Sequence, residues 1–114
     1  MNPFEDPRAR EAELAAFEAG RAERQGGNEG AGALWARAGA LYGELAAEAV
    51  GLPRHRAILA VSHVVCLGRG GELEDAVGAA LHWAADPELP AESRRELEEL
   101  AIRYARDGTK VPSP

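Results

Sequence analysis

The chain has 114 residues, 46% of them hydrophobic and many of those Ala, with a net charge of −6, a single Cys and no strong basic cluster. That length supports one domain with one core, and the acidic balance disfavours nucleic acid, whose phosphates require Lys and Arg clustered on one face. One Cys excludes an internal disulfide, and the longest uncharged run, Ala57 to Gly68, is too short to span a bilayer.

The first residues, Met1 to Arg10, are polar and carry no apolar stretch of signal-peptide length. A cytoplasmic, soluble protein is therefore expected, with residues 1–5 disordered. Asp6-Pro7 reads as an N-cap followed by Pro at the first helical position, where a missing amide donor costs nothing. The first helix then runs to about Gln25, its apolar stripe formed by Leu14, Phe17 and Ala22, until Gly26-Gly27 stops it. Asn28 is placed to cap a second helix reaching Val50, in which Leu34, Ala38, Leu41 and Leu45 recur at three- and four-residue spacing.

Pro53 opens a third helix. Its content of Val, Ile and Cys would also suit a buried strand, but the distance to Gly68 favours a helix. Ile58, Val61, Val64 and Val65 share one side and Leu59 and Cys66 another, so this helix is expected at the centre, touching every other one. Gly68-Arg69-Gly70-Gly71 is a turn, and Glu72 to about Ala85 forms a fourth helix burying Ala76, Ala80, Leu81 and Trp83. After Asp86-Pro87-Glu88-Leu89-Pro90, Ser93 and Glu96 have capping-box spacing at the start of a fifth helix, with Leu97, Leu100, Ala101 and Tyr104 along its apolar edge. Asp107-Gly108 ends it, and residues 109–114 are expected to be disordered. The fold class is all-α: about five helices over residues 6–108, as two antiparallel hairpins plus a C-terminal capping helix, in an array or a compact bundle.

The punctuation repeats. Pro7-Arg8-Ala9-Arg10 returns as Pro53-Arg54-His55-Arg56, and Gly26-Gly27 as Gly70-Gly71, so each copy is one helical hairpin. Gly71-Glu72-Leu73-Glu74-Asp75-Ala76, followed by Ala79-Ala80-Leu81 and Pro87, resembles the second half of a tetratricopeptide repeat. Trp35 to Tyr42 also resembles that family's W-x2-L-G-x2-Y opening, with Ala38 where Leu is usual, but in a register shifted by one helix. Both registers stay open. The resemblance implies a non-enzymatic scaffold for protein–protein interaction, whose inner helices display side chains on a concave surface. In the first register Arg10, Arg21 and Arg24, with Arg54, Arg56 and Arg69, would line a groove for an acidic peptide segment, because guanidinium groups bind carboxylates in bidentate fashion.

A different class is a small helical enzyme or metal protein. His63 and Cys66, at i and i+3, are its candidate ligands, with Glu72 or Asp75 on the returning helix near their level. The order of apolar helix, glycine turn, short helix and Glu-rich last helix is similar to the carboxymuconolactone decarboxylase and alkylhydroperoxidase fold. The C-x2-C pair of its peroxidase members is replaced here by Gly68-Arg69-Gly70-Gly71, so no redox chemistry is implied. No catalytic residue is nominated and no cofactor is expected. The expected partner is another protein or a second copy of this chain, with Trp35, Trp83 or Leu89 extending an exposed patch into a homodimer contact. Neither nucleic acid nor membrane is an expected partner.

Overall fold

Proline and glycine set the element boundaries. In the computed structural model, which describes residues 2–109, the order is a 3₁₀ helix at Pro3–Glu5, then α1 (Pro7–Arg24), α2 (Asn28–Glu48), α3 (Pro53–Arg69), α4 (Leu73–Ala84) and α5 (Ala91–Gly108). Asp6 caps α1 by accepting from the Arg8 amide, with Pro7 at the first position. Gly26, Gly51 and Gly71 take φ of 81°, 80° and 83°, the left-handed conformation that lets each of these turns close without a Cβ penalty. Ser93 and Glu96 do not form a capping box. The helix starts two residues before Ser93, after Pro90, which fixes the extended entry that a capping side chain would otherwise hold.

Residues 2–5 are folded, against the expected disorder. Asn2 accepts from the Phe4 amide at 2.9 Å, and the Phe4 ring lies 5.3 Å from that of His55. Thr109 is likewise placed, its hydroxyl donating to the Arg106 carbonyl at 2.8 Å. Met1 and residues 110–114, where disorder is also expected, lie outside the described residues.

The helices form a slab of 48 × 29 × 16 Å. The most extensive packing is α1 on α2, α2 on α3 and α4 on α5, with α3 also meeting α4 and α5. α1 therefore has α2 as its main neighbour, while α3 packs on α2, α4 and α5 and shares a core cluster with α1 through Cys66. The core divides in two. One part joins Leu45, Leu59, Val64, Trp83, Leu89, Leu97 and Leu100 from α2 to α5, and the other joins Ala15, Ala19, Ala31, Trp35, Ala38 and Cys66 from α1 to α3.

The seam between α1 and α2 reverses the expected face of α1. Ala9, Ala12, Ala15 and Ala19 are buried, while Leu14 and Phe17 are 58% and 62% exposed. Small side chains let two helix backbones approach closely, and that approach decides the facing here over side-chain size. Leu81 and Ile58, also expected inside, are exposed; Trp83 is buried, as expected of the fourth helix, and with it Trp35 and Leu89, so none of the three widens a surface patch. No helix among the described residues is long and apolar enough to cross a membrane.

Arg8 pins the free end of this seam. Its guanidinium donates to Asp6, Glu44 and Glu48, at 2.7 Å to each Glu48 oxygen, so the start of α1 is tied to the end of α2. Hydrogen bonds from the Arg8 side chain and amide hold the Asp6 carboxyl down at about 2, and Arg8 also lowers Glu48. A carboxylate depressed in the folded state contributes stability above its unfolded pKa, near 4, that is lost as pH falls toward the folded value. Carbon-13 titration of the carboxyls is expected to place the Asp6 midpoint near 2, with α1 loosening below it. A midpoint at the ordinary 3.8 would show the clasp to be absent in solution.

Candidate functional site

The six arginines are not brought to one groove. Arg10, Arg21 and Arg24 project from the outer face of α1, opposite the alanine seam. At 100° per residue, Arg10, Leu14, Phe17 and Arg21 follow one another at i, i+4, i+7 and i+11, which places two exposed apolar side chains between two cations. Arg24 continues the row a turn later, and Glu13 borders the shallow recess formed by Arg10, Leu14 and Phe17. Ion pairs among the described residues are made by Arg8, Arg37 and Arg56, the second of them with Glu11. The three α1 cations are left to solvent.

Arg54 stands in a separate recess, beside Ala57, Ile58 and Val61 of α3 and Ser93 and Glu96 of α5. Arg56 has a different task from the acid-binding one expected of it. Its Nε lies 3.3 Å from Asp86 and its terminal nitrogen donates to Glu88 at 3.0 Å, while the guanidinium lies 5.2 Å from the centre of the Trp83 ring. Glu88 also accepts from the Gly51 amide at 2.6 Å. The α4–α5 connection thus returns two carboxylates to α3, and the charge of Arg56 is already met. Arg69 lies over Trp35 at 5.0 Å, a cation–π contact that covers the smaller core.

His63 and Cys66 both face α2 but serve packing. Nδ1 of His63 donates to the Gly39 carbonyl at 2.6 Å, which fixes the tautomer, and the ring lies so close to Gly43 that a Cβ there would stand 2.8 Å from Cε1. Cys66 is buried among Ala15, Ala19, Trp35 and Ala38, and burial pushes its thiol up to about 11. A thiol so raised is a poor source of the thiolate that metals and electrophiles take. Glu72 and Asp75 are exposed whereas the thiol is buried, and no group of three or more His, Cys, Asp or Glu among the described residues is arranged to hold a metal ion.

Two surfaces escaped the sequence reading. The first is the Leu14 and Phe17 pair, visible in the helical spacing but assigned to the core. The second is a groove between α4 and α5, in which Val77 and Leu81 face Ala101, Ile102 and Ala105, with Leu81 55% and Ile102 59% exposed. It continues past Leu73 and Tyr104 to Gly108. Comparison with protein families, curated proteins and solved structures finds no match to this chain.

Proposed function

We propose that this protein is a non-enzymatic protein–protein interaction module of helical-hairpin repeat type, which holds an acidic, apolar segment of its partner on the outer face of α1. Leu14 and Phe17 are the anchors, and Arg10, Arg21 and Arg24 receive the carboxylates. The observation that supports this reading is the composition of one exposed face: two large apolar side chains, more than half exposed, framed by three cations that make no ion pair among the described residues, with Glu13 at the rim. Exposed apolar side chains clustered between charges are the usual mark of a recognition surface. The arginine groove expected across two repeats contracts to a single helix, because Arg56 is occupied by Asp86 and Glu88.

A fluorescently labelled amphipathic peptide of Glu and Leu, titrated with the protein and followed by anisotropy, tests it. Binding is expected to weaken with salt and to fall at least about tenfold in the Arg10→Glu/Arg21→Glu variant, since opposed charges at a rim set both encounter and register. A Lys and Leu peptide of the same pattern should not bind. Equal binding of the two peptides, or indifference to the charge reversal, would remove the reading.

A further inference from the structure

We propose that the surface recognised by α1 is the α4–α5 groove of a second copy of this chain, so that copies join head to tail. This rests on the reading of α1 given above and names its partner. The two surfaces are complementary in shape and in charge. α1 offers a ridge, Leu14 and Phe17, and α4 and α5 offer an apolar trough floored by Val77 and Ala101 with Leu81 and Ile102 on its walls. The carboxylates that line the trough are Glu98 and Glu74, with no cation among its lining residues.

The spacing also agrees. Arg10 and Arg21 are separated by eleven residues, about 16 Å of helix at 1.5 Å per residue, with the apolar pair between them. Leu73 packs against Gly108, so Glu74 is level with the end of α5 and lies ten residues along from Glu98, about 15 Å at the same rise. The two acids are thus set to meet the two arginines while the apolar pair enters the trough. α1 packs on α2, whereas α4 and α5 pack on each other and on α3, so one copy can present both surfaces at once. Two unlike surfaces on one chain give a heterologous contact, and such a contact propagates unless its rotation closes a ring.

Sedimentation of the intact protein from about 5 to about 500 μM tests the proposal, since an interface built on so few large side chains belongs at the small, weak end of the size range. The wild type is expected to grow beyond a dimer with concentration. Arg10→Glu/Arg21→Glu and Glu74→Arg/Glu98→Arg are each expected to stay monomeric, with an unchanged far-ultraviolet spectrum because all four residues are exposed. Mixed in equal amounts, the unaltered trough of the first variant would meet the unaltered α1 of the second, and the reversed α1 of the first would meet the reversed trough of the second, so the two variants alternate and grow beyond a dimer again. A wild type that is monomeric throughout, a dimer that survives both reversals, or a mixture that does not pair would each overturn head-to-tail joining. A monomeric wild type that still binds the Glu and Leu peptide through Arg10 and Arg21 would overturn this inference and leave the function of α1 standing.

Discussion

Trp83→Ala is expected to lower the unfolding free energy by about 3–5 kcal/mol, the range for removing a large aromatic side chain from a packed core. Trp83 is 5% exposed, sits in the larger core and serves as the floor under Arg56. Its removal opens a cavity where α3, α4 and α5 meet and also uncovers a guanidinium held between Asp86 and Glu88. Domains of this size have only about 5–15 kcal/mol of stability in total. The melting point should therefore fall by about 15 °C or more. Leu81→Ala, two residues earlier in the same helix, removes a side chain that is 55% exposed and should cost less than about 1 kcal/mol. Urea unfolding of both variants measures the contrast, and equal losses would mean that α4 turns a different face to the core.

The second large effect is a reversal of sign at Gly68. A Cβ there would overlap the ring of Tyr104, whose hydroxyl oxygen would stand 2.6 Å from it, so α5 rests its tyrosine directly on the backbone of the last turn of α3. Gly68→Ala is expected to destabilise the protein by about 1–3 kcal/mol, because the ring must leave its seat. In a Tyr104→Ala background the same substitution should instead stabilise by about 1 kcal/mol, the ordinary gain of Ala over Gly inside a helix. A double-mutant cycle on the two positions isolates the coupling. If Gly68→Ala stabilises equally in both backgrounds, Tyr104 does not occupy that place.

Boundaries were more legible than faces. Pro7 and Pro53 open helices where the sequence places them, and Gly26 and Gly71 end turns where it places them, because backbone dihedral restrictions act locally. The facing of α1 was not legible, since ranking side chains by size puts Leu14 and Phe17 inward, and close approach through Ala9, Ala12, Ala15 and Ala19 is a property of two helices together. Arg8 and Arg54 occupy equivalent places in the repeated Pro-Arg motif, yet the first is bound by Asp6, Glu44 and Glu48 and the second stands in an open recess. That difference depends on which acids return from elsewhere in the chain. The same holds for Arg56, whose partners are thirty and thirty-two residues away.

The alanine seam has a consequence for how evenly the molecule holds together. Each buried methyl contributes only about 0.8 kcal/mol, and α1 presents such groups to essentially one neighbour. Its amide hydrogens should thus exchange through a partial opening that leaves α3, α4 and α5 intact, well below the cost of unfolding the whole chain. A ligand of the kind proposed for the outer face of α1 would draw on that reserve: by binding the closed form it would slow exchange along the entire helix, so that occupancy at Leu14 and Phe17 would be registered as far away as the Arg8 clasp.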